Sequence, residues 1–245
     1  MSKVIALAGK GGVGKSTIAT QLIRMLSGKG IVLAIDADPN SNLPEKLGME
    51  ISGTIGEIRN EMVEDPDKIP AGMSKHEFTY QSVRRLVTES DKIDLLVMGR
   101  PEGAGCYCFT NNVLKECFSD LIPKYDFTVI DNEAGMEHLS RKVIPMVDVL
   151  ILVSDPTVIG IRTASRLMMI SKEVGISVKK TVLVINNISG VSDTLMKEAQ
   201  AAGFTEAVTI PHDDMISKTA METTELNIPY DSKFGKAVTS LISVL

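Results

Sequence analysis

Gly9-Lys10-Gly11-Gly12-Val13-Gly14-Lys15-Ser16 follows the apolar run Val4–Ala8 and leads into a helical pattern over Ser16–Ser27. The octet satisfies G-x-x-x-x-G-K-[ST] in the strand–loop–helix setting that this motif requires. Its glycines let successive backbone N–H groups converge on phosphate oxygens, where a Cβ would obstruct the wrapped chain. The helix that opens near Ser16 adds the positive end of its dipole. Lys15 is placed to reach the β- and γ-phosphates of a nucleotide, and the Ser16 hydroxyl to ligate Mg²⁺. Gly11, Gly12, Val13, Gly14, Lys15, Ser16 and Thr17 are therefore the candidate phosphate contacts.

Outward from this loop, short β-branched runs alternate with longer helical patterns. The runs are Val4–Ala8, Ile31–Ile35, Leu95–Met98, Phe127–Ile130, Val149–Val153, Thr181–Ile185 and Ala207–Ile210. Most are continuous apolar stretches, as parallel strands buried on both faces require. Helices are predicted over Ser16–Ser27, Asn111–Leu121, Val158–Val174 and Ser192–Ala201. The order implies a single α/β domain over residues 1–245, with a mostly parallel, doubly wound sheet and its ligand site at the carboxyl ends of the strands. Residues 60–91, rich in charge and holding two prolines, read as a helical, solvated excursion between the second and third strands rather than a separate domain. Phe234, Ala237, Val238, Leu241, Ile242 and Leu245 form one stripe of a terminal helix that packs on the sheet.

Composition narrows the function classes. The chain has 245 residues, 44% of them apolar and 23% charged, as in ordinary globular proteins. With 31 acidic against 26 basic side chains the net charge is −5, which speaks against a nucleic-acid partner. Three cysteines cannot form a disulfide framework and suit a reducing compartment. The absence of Trp disfavours a stacking platform for sugars or single strands. No run approaches the roughly 18 residues of a membrane helix, and the opening segment lacks a signal peptide's apolar core. The expectation is a cytoplasmic protein without a membrane partner.

Lys10 adds a second lysine early in the loop, giving Gly-Lys-Gly-Gly-Val-Gly-Lys-Ser-Thr. This form resembles the deviant Walker A motif of the MinD, ParA and nitrogenase iron-protein ATPases. The resemblance implies a homodimer in which Lys10 reaches the partner's phosphates and neutralises transition-state charge, as an arginine finger does elsewhere. Asp36-Ala37-Asp38-Pro39-Asn40, at the end of the second strand, resembles the first switch of the same ATPases. Asp38 would orient the attacking water and approach Mg²⁺, while Asp36 could instead fix the loop. Asp131-Asn132-Glu133-Ala134-Gly135 resembles a Walker B aspartate and second switch, with Asp131 holding an Mg²⁺-bound water and Gly135 letting the loop move. Asn186, following the sixth strand, and Pro211-His212-Asp213, following the seventh, resemble the adenine-contacting segments of the group. No N-K-x-D guanine motif follows the sixth strand, so ATP and ADP are favoured over guanine nucleotides.

Gly99-Arg100-Pro101-Glu102-Gly103-Ala104-Gly105-Cys106-Tyr107-Cys108 sets the chain apart from most such ATPases. In an extended segment, residues two apart project to one side, so Cys106 and Cys108 would present two thiols to one ion. Two thiolates leave a tetrahedral or square-planar metal half coordinated, and a dimer with this loop near its two-fold axis would supply four. Together with Asp131 to Arg141, including Met136, Glu137 and His138, the segment resembles the CooC family of nickel-insertion ATPases, which mature carbon monoxide dehydrogenase and, in close relatives, acetyl-CoA synthase. The resemblance implies Ni²⁺ or Zn²⁺ on Cys106 and Cys108 between two protomers, and an apo nickel enzyme as partner. His138 is taken as a structural residue of the switch, and Cys117 as core. Nitrogenase iron protein takes a cluster ligand from its second switch, where this chain has no cysteine, so a cluster held in that manner is excluded. A cluster on two C-x-C pairs stays open, as does a MinD- or ParA-like positioning ATPase.

Overall fold

The computed structural model describes residues 2–64, 69–100, 107–134, 143–144, 146–190 and 193–245, with backbone only for 61–64 and 107–110. Seven parallel strands make one sheet, in the order β3-β2-β4-β1-β5-β6-β7. They are β1 (Lys3–Gly9), β2 (Val32–Ala37), β3 (Ile93–Val97), β4 (Phe127–Asn132), β5 (Met146–Ser154), β6 (Ser177–Ile188) and β7 (Ala207–Pro211). All seven predicted strands are present. β1 lies in the middle, so the loop that follows it opens at the sheet's centre, where strand order changes direction. That position is where an open α/β sheet leaves its ligand crevice.

The helices are α1 (Lys15–Ser27), α2 (Asn42–Leu47), α3 (Ile55–Glu64), α4 (Lys75–Arg85), α5 (Tyr107–Leu121), α6 (Val158–Glu173), α7 (Asp193–Ala201), α8 (Asp214–Glu222) and α9 (Lys233–Ser243). They cover both faces, and the pleat decides which side chain goes where. Val4, Ala6 and Ala8 of β1 join a core with Val83 of α4, Phe118 of α5, Ile161 of α6 and Leu195 of α7. Ile5 and Leu7 face the opposite core, with Ile18 and Leu22 of α1, Leu43 of α2, and Phe234, Val238 and Leu241 of α9. The predicted terminal stripe is thus committed to the core. At roughly 1.5–3 kcal/mol for each fully buried apolar side chain, this packing is what holds α9 in place. No described helix is long and apolar enough to cross a membrane.

Two expectations need correction. The excursion between β2 and β3 starts before residue 60, since α3 begins at Ile55, and its second helix, exposed at Lys75, His76, Glu77, Arg84 and Arg85, also packs one face inward. Val83 of α4 is 1% exposed, and α4 is fastened to α5 by Tyr80 Oη donating to Asp120 Oδ2 (2.6 Å) and by His76 Nε2 paired with Glu116 Oε2 (2.9 Å). Both contacts set a polar side chain of α4 against a carboxylate of α5, which a count of acidic and basic residues does not reveal. Second, β6 runs through Ile188, so Asn186 and Asn187 lie within the strand rather than after it. They occupy an irregularity in the pairing with β7 between Ile185 and Ile188, where Asn187 takes a left-handed φ of 61°.

Candidate functional site

Gly14 is the turning point of the phosphate loop. Its φ is 93°, a conformation L side chains rarely adopt, and a Cβ there would stand 2.4 Å from Asn186 Nδ2. Asn186 uses that same nitrogen to donate to the Val13 carbonyl at 2.8 Å. β6 therefore braces the loop through a side chain that sequence reading assigned to the adenine base. Gly14 is also the N-cap of α1, and no side chain caps that helix. Elsewhere Ser74 caps α4, Thr157 caps α6 and Ser232 caps α9. The bare N–H groups at the start of α1 are what an anion needs.

Lys15 is 7% exposed and its Nζ donates to the Lys10 carbonyl at 3.2 Å. Burial lowers its pKa, opposed by attraction to Asp131, Asp38 and Glu133. Lys10 itself is exposed. Ser16 and Thr17, half-buried, complete the loop's wall of a cavity of about 530 Å³. Asp38, Asn40, Lys46 and Glu133 line its other side.

The carboxylates have distinct environments, set by register. Asp36 on β2 pairs with Asp131 on β4, side by side at the strand tops. Asp36 is fully buried and accepts from the backbone N–H groups of Asp38 (3.0 Å) and Leu43 (2.9 Å). This is the loop-fixing role, and burial still pushes its pKa up to about 6 against those two bonds. Asp131 is 1% exposed, and neither of its oxygens has a hydrogen-bond partner of full geometry among the described residues. Burial pushes its pKa up to about 7, with the Ser16 hydroxyl and Lys15 pulling it down and Asp36 and Asp38 pushing it further up. A buried carboxylate with both oxygens bare beside a phosphate cradle is what a hydrated divalent cation would satisfy. The residues present therefore fit Mg²⁺, and Ser16, Asp38 and Asp131 are those that would hold it, directly or through water. Bound there, Mg²⁺ supplies positive charge against the phosphate oxygens.

A second cavity, about 250 Å³, adjoins the first and shares Gly12, Gly14 and Thr17 with it. Asn186, Pro211, His212 and Asp213 all line it, together with Asp155, Pro156 and Asn187. The predicted base segments thus converge on one place. His212 is held between Asn187 Oδ1 (2.6 Å from Nδ1) and Asp214 Oδ1 (3.0 Å from Nε2). Asp213 accepts from Met215 N on Oδ1 and from Phe234 N on Oδ2, both at 3.1 Å, so its carboxylate is occupied by backbone. Sequence reading did not single out Asn40, Lys46, Asp155 or Pro156, and gave Glu133 no role. Asp155-Pro156 could have been found from its place after the carboxyl end of β5, and Asn40 from its closeness to Asp38.

The cysteine pair is only partly visible. Cys106, like Gly135 and His138, lies outside the described residues. The extended geometry expected for the pair does not hold for Cys108, because α5 begins at Tyr107 and Cys108 sits in its first turn. Among the described residues no group of three or more His, Cys, Asp or Glu is arranged to hold a metal ion. Cys117 is core as predicted, 3% exposed.

A strand-loop-helix phosphate cradle, two carboxylates at adjacent strand ends and a base-sized cavity beside it define a P-loop nucleotide-binding protein. Residues 4–240 match the family of the CobQ/CobB/MinD/ParA nucleotide-binding domain (CbiA), and the chain belongs to it as an ATPase. An uncharacterized ATP-binding protein of Methanocaldococcus jannaschii is 40% identical over 96% of this chain and 95% of its own length. The carbon monoxide dehydrogenase accessory protein CooC of Rhodospirillum rubrum is 32% identical, covering 75% of this chain and 73% of its own. Among solved structures, the cell-division ATPase MinD of Pyrococcus furiosus superposes with a TM-score of 0.69 at 23% identity, over 99% and 98% of the two chains. This last likeness establishes the fold.

Proposed function

We propose that this ATPase is a homodimeric metallochaperone, carrying Ni²⁺ on Cys106 and Cys108 of two protomers for insertion into an apo nickel enzyme such as carbon monoxide dehydrogenase. Zn²⁺ is the alternative ion for the same thiolates. The metal is cargo, and ATP sets when the two subunits hold it. The observation that carries the reading is where the elements on either side of the cysteine-bearing stretch stand. β3 ends beside the β2 loop that bears Asp38, with Met98 N donating to Asp36 O at 2.8 Å, and Cys108 lies in the helix that follows. The chain thus leaves β3 toward the cysteines from a point next to the Asp38 loop, and the 32% identity to CooC supports assigning them this cargo.

In the ATPase site, the loop N–H groups and Lys15 bind the phosphates, and Asp38 orients the attacking water. Lys10, exposed at the mouth of the cradle, supplies charge to the partner's nucleotide. Pro211, His212 and Asn186 frame the adenine ring, with Asn186 acting chiefly by holding the loop.

The test is Cys106→Ser with Cys108→Ser in the full chain, with anaerobic metal titration and delivery to the apo enzyme. The expected result is loss of one Ni²⁺ per dimer with MgATP binding retained. Stoichiometric metal binding by the double variant would refute the proposal. Equivalent iron and sulfide in the wild-type protein would replace it with a cluster-carrying one.

A further inference from the structure

Asp38, Asn40 and Arg100 form a chain of contacts that leads out of the phosphate cavity. Asp38 Oδ1 accepts twice from Asn40, from its backbone N at 2.8 Å and from its Nδ2 at 3.0 Å. The other end of the Asn40 amide, Oδ1, accepts from Arg100 Nη2 at 3.3 Å. Both Asp38 and Asn40 line the cavity, whereas Arg100 does not. The amide is used at both ends, so its orientation is set by the guanidinium on one side and passed to the carboxylate on the other.

The backbone that presents Arg100 is itself fixed. Met98 N donates to Asp36 O at 2.8 Å, and Gly56 N donates to Met98 O at 2.9 Å. Gly99 has a φ of 67°, and a Cβ there would meet Thr54 Oγ1 at 2.4 Å. A Cβ at Gly56 would meet the Arg100 carbonyl at 2.2 Å. Two glycines thus let the start of α3 close on residues 98–100 and hold them against the β2 loop. The Arg100 side chain is exposed, and this packing fixes the backbone from which its guanidinium reaches Asn40.

We propose that Arg100 is a positioning residue of the hydrolytic site, holding Asp38 through Asn40. The proposal rests on the role given to Asp38 in the ATPase reading above.

The experiment uses the 245-residue chain as wild type, Arg100→Ala, Arg100→Lys, Asn40→Ala, the Arg100→Ala/Asn40→Ala double variant and Asp38→Asn. Turnover of MgATP is read against the affinity for a non-hydrolysable ATP analogue. Arg100→Ala and Asn40→Ala should each lower kcat about tenfold while analogue affinity stays within about twofold, because orientation rather than binding is lost. The double variant should fall no further than either single one, and Arg100→Lys, which keeps a donor, should recover most of the rate. Arg100→Ala with wild-type kcat, or additive losses in the double variant, would overturn the positioning role. Asp38→Asn with wild-type kcat would instead overturn the reading of Asp38 on which the proposal rests.

Discussion

Replacing Gly14 by alanine tests whether the loop owes its shape to the contact with Asn186. The cost has two parts. Holding a non-glycine residue at a φ of 93° costs roughly 1–2 kcal/mol. The new Cβ, only 2.4 Å from Asn186 Nδ2, must also displace that amide and its 2.8 Å bond to Val13 O, which adds about 1–2 kcal/mol. Gly14→Ala should therefore destabilise by about 2–4 kcal/mol in urea unfolding and weaken MgATP binding at least tenfold. Gly11 is the internal control. A Cβ there meets no protein atom within 4 Å and its φ is not positive, so Gly11→Ala should leave urea unfolding unchanged or slightly raise stability. The second part of the cost belongs to a pair, so it should vanish when Asn186→Ala is already present. In that background Gly14→Ala should cost only the backbone share, a coupling of about 1–2 kcal/mol. Equal effects of Gly11→Ala and Gly14→Ala, or full additivity with Asn186→Ala, would refute the reasoning.

Phe234→Ala removes a fully buried ring of α9 and should cost about 3–5 kcal/mol in denaturant unfolding, whereas Met221→Ala, at a side chain 86% exposed, should stay within about 0.5 kcal/mol. Burial raises the Cys117 thiol to about 11, with Glu116 and Asp120 adding to the rise, so at pH 8 only about one molecule in a thousand carries the reactive thiolate. In the Cys106→Ser/Cys108→Ser variant, alkylation at pH 8 should therefore wait for denaturant; rapid labelling of the native protein would contradict the burial.

The sequence carried the strands because each is a nearly uninterrupted apolar run, and it carried the phosphate loop because all its chemistry lies within one octet. What it hid depends on contacts between distant residues. The start of β6 is Ser177-Val178-Lys179-Lys180, too polar to read as a buried strand. Lys179 is paired with Asp148 at 2.7 Å and Lys180 with Glu206 at 2.8 Å, so these charges belong to the first residues of a strand rather than to a loop. α2 and α8 were not foreseen: one has only six residues with a proline inside, and the other rests on the Asp213 cap. In the site, the identity of Asp36 and Asp131 was legible, but not their side-by-side register. That register separates a carboxylate held by backbone N–H groups from one whose oxygens stand bare. The Asn40–Arg100 contact spans 60 positions and leaves no local trace.

Asp213 makes the rim of the base cavity and the last helix a single mechanical part. One of its oxygens ends the loop by capping the start of α8, and the other receives the N–H of Phe234 in the first turn of α9. No residue of α9 lines either cavity. A carboxylate shared in this way cannot re-aim toward one helix without slackening its hold on the other, so one side chain both lines the cavity and tethers α9.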